Sequence, residues 1–359
     1  MFSSIPGGPY DIDLDVYRAL STFDIQIGIQ ELIVPPSLTS RRKYHIFATA
    51  QLSILSIHLT PVSFKFVQHV GDNAPNLSHL RLSGLVTPSI IKVVLKLRNL
   101  RELEIQFTSS SHPHAASDQR RAFCHLATSL DRLPSLSRLC INIPTTIKRL
   151  PSALYHLGTI DILMLYGDPE LVAQLLMLAN NLRHATIELP EGTTDSAWRR
   201  CFRALLSSSG TSLLSIKLLL SGLFDPEASI GPLLRITALQ SFEISDSTIS
   251  FLPLSDSLIE NMVFSWPTLQ TLIFPSRIAG VFRNRLTPQC LLSLDKLGCL
   301  RTMCIPINRD TIRLPLAIEH INDHNVRRVL ETCRWPKNVC KSADSLLVCI
   351  PHFCADVGI

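Results

Sequence analysis

A six-residue pattern, Leu-x-x-Leu-x-Leu with aliphatic or aromatic replacements, returns ten times along the 359 residues and constrains the fold more than any other feature. The copies start at Leu52, Leu77, Leu100, Leu136, Ile160, Leu182, Leu213, Leu239, Leu269 and Leu300, with a weaker eleventh at Ile29. From Leu52 onward the intervals are 25, 23, 36, 24, 22, 31, 26, 30 and 31 residues. Self-similarity at a period of roughly 20 to 50 residues marks a chain whose units bury their apolar faces only against their neighbours. One hexad alone would read as an ordinary amphipathic strand; ten in order do not.

Within a hexad the last two apolar positions alternate with polar ones, as in Leu80-Arg81-Leu82 and Phe242-Glu243-Ile244. Period two over a few residues predicts a short strand with one buried face. The first apolar residue, three positions upstream, is expected to pack under the turn that leads into the strand. Helix starts follow most hexads: Thr87-Pro88, Asp168-Pro169-Glu170 and Thr287-Pro288 each place a capping side chain before a proline at the first helical position. Ser255 and Ser117 precede apolar helical periods without a proline. Strand, turn and helix in about 28 residues leave no room for a conventional crossover sheet. Stacked, they predict an α/β leucine-rich-repeat solenoid, a horseshoe with a parallel concave sheet and outer helices.

Three segments follow from the breakers and the rhythm. Residues 1–45, with Pro6, Gly7, Gly8 and Pro35-Pro36, are expected to be an irregular cap, 46–310 the solenoid, and 311–359 a closing helix and an irregular tail. The polar run Thr108–Ser117 lengthens one repeat and reads as an exposed loop. Hydrophobic content of 46 % with 18 % charged residues argues against extended disorder. No apolar run reaches the length of a membrane span, the longest, Ser212 to Phe224, being interrupted by Lys217. The start Met1-Phe-Ser-Ser-Ile-Pro lacks a basic n-region and an apolar core, so a cytoplasmic or nuclear protein with reduced thiols is expected. The sequon Asn76-Leu77-Ser78 then carries no meaning, because Leu77 is a core position. The net charge of +5 is scattered in pairs such as Arg120-Arg121 and Arg199-Arg200, and aromatics are only 6 %, so no nucleic-acid surface is expected.

Catalytic signatures are missing from the sequence: no phosphate-cradling glycine loop, no Gly-x-Ser-x-Gly and no His-Glu-x-x-His. Cys333, Cys340, Cys349, His352 and Cys354 crowd the C-terminus, yet none is spaced Cys-x-x-Cys as a structural zinc knuckle wants, so unpaired thiols are expected. His112 and His114 fall in the polar loop with no carboxylate or nucleophile beside them. The reading is of a non-enzyme without cofactor or metal.

Binding is expected on the concave face, where side chains flanking the second and third leucines point to solvent. Those positions include Arg81, Glu102, Glu104, His184 and Glu188. One strand differs: Ile162, Met164 and Tyr166 place three large apolar groups on that face, a contact site unless a segment such as 108–117 folds over them.

The stretches Leu258-Ile-Glu-Asn-Met-Val-Phe-Ser-Trp-Pro-Thr-Leu-Gln-Thr-Leu-Ile-Phe274 and Leu286 to Pro306 resemble the leucine-rich region of fungal F-box proteins, with a helix ending in Trp-Pro before the hexad. Ala197-Trp-Arg-Arg-Cys-Phe-Arg-Ala-Leu-Leu206 before the Leu213 hexad is similar. The likeness spans about residues 50–310. It implies a target-recognition subunit of a ubiquitin ligase, repeats holding a protein target and an F-box holding a Skp1-type adaptor. Residues 1–45 show Ile5-Pro6 but no helical triplet of F-box kind behind it. A stand-alone interaction or inhibitor-like repeat protein is the alternative.

Overall fold

The computed structural model describes residues 30–34, 48–60, 63–108, 113–151, 157–274, 286–287, 289–308 and 345–347. Eleven strands form one parallel sheet in chain order: β1 (Glu31–Val34), β2 (Ile54–Leu59), β3 (His79–Gly84), β4 (Glu102–Phe107), β5 (Arg138–Asn142), β6 (Ile162–Tyr166), β7 (His184–Glu188), β8 (Ser215–Leu223), β9 (Ser241–Phe251), β10 (Thr271–Ile273) and β11 (Thr302–Cys304). Each strand pairs with the next in sequence and the sheet does not close. The fold is a leucine-rich-repeat solenoid.

Helices follow the strands at the starts that the caps mark. They are α1 (Phe64–Asn73), α2 (Pro88–Val94), α3 (Pro113–Ala127), α4 (Pro169–Met177), α5 (Asp195–Ser209), α6 (Pro226–Ser229), α7 (Asp256–Ser265) and α8 (Gln289–Leu294). Thr87 accepts from the Ile90 amide, Asp168 from those of Glu170 and Leu171, Ser255 from Leu258 and Thr287 from Gln289. Helices need about 8–10 Å between axes whereas strands sit about 4.8 Å apart, so helices stacked on one side force the opposite sheet face to be concave.

The hexad leucines do what their spacing predicts. Leu52, Leu77, Leu100, Leu136, Ile160 and Leu182 are at most 1 % exposed. Several close a tight turn, as where the Leu77 amide donates to Ala74 and that of Leu100 to Leu97. The second and third apolar positions, such as Leu80 with Leu82 and Leu272 with Phe274, point inward to the helices in one continuous core. Burial of each such side chain contributes about 1.5–3 kcal/mol.

A second device fastens the stack. The carbonyl one residue beyond each hexad leucine accepts two amides from the following repeat: Ser53 from Ser78 and His79, Ser78 from Arg101 and Glu102, Gln240 from Gln270 and Thr271. The junction recurs without a break from Gln30 to Thr302. Side chains just before the hexads add to it, with Asn76 donating to the Ala50 carbonyl at 2.8 Å and Asn99 to that of Pro75 at 2.9 Å. The Asn76 side chain thus ties two neighbouring repeats together at the surface of the stack.

On the helix side, the first helical residue braces the next repeat. Asp256 accepts from the Thr287 amide at 2.8 Å and from its hydroxyl at 2.5 Å, while Asp195 accepts from the Asp225 amide at 3.3 Å and the Ser229 hydroxyl at 3.0 Å. Replacing Asp256 with alanine removes a charged acceptor from two donors at once, and should cost about 2 kcal/mol. A urea titration with an unchanged slope and a lowered midpoint is the expected result.

Three local expectations need correction. The Thr108–Ser117 run is not a loop throughout: α3 begins at Pro113, four positions ahead of Ser117, because proline suits a first helical position and His114, Ala115 and Ala116 tolerate helix. The sheet also begins inside residues 1–45, since β1 pairs with β2 through Leu32↔Leu55 and Val34↔Ile57, in keeping with the weak hexad at Ile29. Finally, in the tail, β13 (Ser345–Leu347) pairs antiparallel with β12 (Pro306–Asn308), so these three residues have a ladder partner. The expected helix over 317–333, the C-terminal cysteines and most of 1–45 lie outside the described residues.

Candidate functional site

Parallel pairing without slippage aligns the solvent-facing side chains of the sheet in three rows. The lowest runs Ile54, His79, Glu102, Arg138, Ile162, His184; the middle one Ser56, Arg81, Glu104, Cys140, Met164, Thr186; the upper one His58, Ser83, Gln106, Asn142, Tyr166, Glu188. All eight residues expected on the concave face, Arg81, Glu102, Glu104, Ile162, Met164, Tyr166, His184 and Glu188, stand on this one face.

The rows divide by chemistry. Over β3 to β5 a charged network dominates: Arg81 Nε lies 2.6 Å from Glu104, and both His79 and Arg138 reach Glu102 at 3.4 Å. Gln106 donates to the other Glu104 oxygen at 2.7 Å. The network floors a groove of about 330 Å³ whose N-terminal wall is Ile33 and Ile54. Ile33, 67 % exposed, is an apolar residue that the hexad search did not single out. Only the weak hexad at Ile29 marks its strand. Farther along, Lys217 pairs with Glu243 at 2.6 Å.

Between these charged stretches lies the β6 row. Ile162, Met164 and Tyr166 are each half-buried. No described part of the 108–117 segment covers them: from Pro113 onward it belongs to α3, on the core side, where Phe123 packs edge-on to Phe107 at 6.2 Å. Tyr166 is held from its own side of the sheet. Its hydroxyl lies beside the Cys140 thiol, and burial, then the neighbouring Cys140 and Glu188, push its pKa up to about 12. The Arg138 guanidinium lies 3.8 Å from the Met164 sulfur. The ring is a half-buried apolar surface between Asn142 and Glu188, and a tyrosine of this kind loses little freedom when something is laid on it.

Cys140 is a buried polarizable group on this face, and its chemistry is that of a packed thiol. Burial, followed by the nearby Glu104, pushes its pKa up to about 11, so it carries almost no thiolate at neutral pH. Burial holds Cys201 and Cys290 still higher, at about 12. Iodoacetamide at pH 8 should therefore label exposed Cys299 in the folded chain and spare Cys140, Cys201 and Cys290 until denaturant is added. Peptide mapping after timed labelling reads the order.

Among the described residues no three His, Cys, Asp or Glu side chains are grouped to hold a metal ion, and no helix is long and apolar enough to cross a membrane. The basic pair Arg199-Arg200 on the helix side is occupied: Arg199 donates to the Ala228 carbonyl and Arg200 pairs with Glu170 at 3.1 Å.

No protein-family model matches the chain, and no curated protein matches it in sequence. Solved structures do share features of it. The leucine-rich repeat-containing protein LegL7 from Legionella pneumophila is 12 % identical, with 74 % of this chain and 96 % of that one covered and a TM-score of 0.39. The yeast Rad7–Elc1 complex gives 15 % identity, 76 % and 85 % coverage and a TM-score of 0.34. The complex of TLR13 with ssRNA13 gives 15 %, 76 % and 42 %, and 0.36. Similarities this low carry no argument about activity or partner, and the fold rests on the parallel sheet itself.

Proposed function

We propose that the chain is a non-enzymatic repeat scaffold that binds a protein on the open face of its sheet. The observation that carries this reading is the β6 row, where Ile162, Met164 and Tyr166 form an apolar centre flanked by the Arg81–Glu104 and Lys217–Glu243 pairs. Apolar centre and polar rim is the anatomy of a contact site, and an ordered tyrosine supplies area at small entropic cost. On the resemblance of Leu258–Phe274 and Leu286–Pro306 to fungal F-box proteins, the scaffold is proposed to be the target-recognition part of a ubiquitin ligase. It would then work in the cytoplasm or nucleus alongside a Skp1-type adaptor.

Two measurements test the reading. The double variant Met164→Ala with Tyr166→Ala should keep the melting behaviour of the native chain and weaken a captured partner by about tenfold or more; unchanged affinity retires the face. Co-expression with a Skp1-type adaptor addresses the ligase role. Recovery of the adaptor with the full chain, and its loss on deletion of residues 1–45, supports that role. Failure to recover it leaves a stand-alone interaction protein.

A further inference from the structure

The open face is acidic although the chain as a whole is basic. Among the described residues five carboxylates point from it, Glu31, Glu102, Glu104, Glu188 and Glu243, against three cations, Arg81, Arg138 and Lys217. Each cation is already committed: Arg81 to Glu104, Arg138 to Glu102 and Lys217 to Glu243. The chain meanwhile carries a formal +5. The excess negative charge on this face therefore falls on carboxylates with no ion pair among the described residues, and one of these, Glu188, sits in unusual surroundings.

Glu188 is half-buried in the upper row, with Tyr166 of β6 in register on one side and Leu219 of β8 on the other. At a strand spacing of about 4.8 Å both neighbours wall it closely. Thr186, two positions back on β7, offers a hydroxyl, and Lys217 beside Thr186 is held by Glu243 at 2.6 Å. A carboxylate between two apolar walls is poorly solvated, and burial accordingly holds its pKa above the usual carboxylate range. Among the described residues no counter-ion pairs with Glu188.

We propose that the slot formed by Tyr166, Glu188 and Leu219 takes an arginine or lysine side chain of an extended basic peptide segment. The cation pairs with the Glu188 carboxylate. Its aliphatic stem lies along Leu219 and Met164, and the half-buried Tyr166 ring, in register with Glu188, offers a face to the charge. Flanking basic residues would meet the remaining acidic excess at the Glu31 end of the groove. The inference rests on the open face being the partner surface, and names the chemistry of that partner.

Selection of displayed random dodecapeptides on the full-length chain, followed by affinity measurement of the enriched sequences, is the test. The expected result is enrichment of arginine or lysine in an extended motif, with affinity falling about tenfold in Glu188→Gln and with added salt. Glu260→Gln, a charge change on exposed α7 of the helix side, should leave affinity unchanged. Binders without basic residues, or acidic ones, that still depend on Met164 and Tyr166 would overturn the basic-segment inference while leaving the face as the contact surface. Binders indifferent to Glu188, Met164 and Tyr166 alike would overturn both.

Discussion

Trp266→Ala is expected to cost about 3–5 kcal/mol. The indole is fully buried at the end of α7, stacks at 5.2 Å on Phe242 of the preceding strand, and donates through Nε1 to the Leu233 carbonyl at 3.1 Å. Truncation leaves a cavity and removes one of two donors to the Leu233 carbonyl, which keeps the Ile236 amide at 2.9 Å. Trp266→Phe separates the two effects, keeping most of the volume and losing only the hydrogen bond, for about 0.5–1.5 kcal/mol. Because each repeat touches only its neighbours, the loss should be local in hydrogen exchange. Amides of β9, α7 and β10 should exchange faster while those of β2 to β4 keep their protection. Uniform acceleration along the chain would contradict nearest-neighbour stacking.

Gly84→Ala should cost about 2–4 kcal/mol, a large effect for the addition of one methyl group. Gly84 ends β3 with φ +98°, a backbone conformation that side-chain-bearing residues rarely adopt. A Cβ there would also meet the Leu59 carbonyl oxygen of the neighbouring strand at 2.5 Å. Neither problem can be relieved by rotating a side chain, since the obstacle is backbone. The alternative, parting β2 from β3, would break the Leu59↔Gly84 end of the ladder. Thermal denaturation with the β2–β3 amides followed by exchange would show the damage, and a melting temperature equal to that of the native chain would refute the steric argument.

The fold was legible because its information is periodic. Leucines placed every two or three residues, repeated with capping residues such as Asp168 and Ser255, state strand, turn and helix in local chemistry that needs no knowledge of distant contacts. The row positions of Arg81, Tyr166 and Glu188 followed from alternation alone. What lay beyond the sequence was set by packing between repeats. The extension of β8 and β9 past their neighbours, with register shifts after Leu220 and Gly222, depends on the two strands continuing to pair with each other after the sheet around them has ended. The short helix α6, capped by Asp225 through the Ala228 amide, had its Asp-Pro signal in plain view but was obscured by the apolar run before it. Likewise the approach of Tyr166 to Cys140 is a diagonal one between rows, which alternation does not reveal.

The junction in which one carbonyl receives two amides has a consequence for how such a molecule changes over generations. It is the same between every pair of neighbours from Gln30 to Thr302, so a whole unit duplicated or excised in frame meets a matching junction on either side. Each such event lengthens or shortens the inner surface by about 4.8 Å without disturbing the rest. The reach of the protein along an elongated target can therefore be retuned by recombination in steps of one module, while point substitutions adjust what each row recognises.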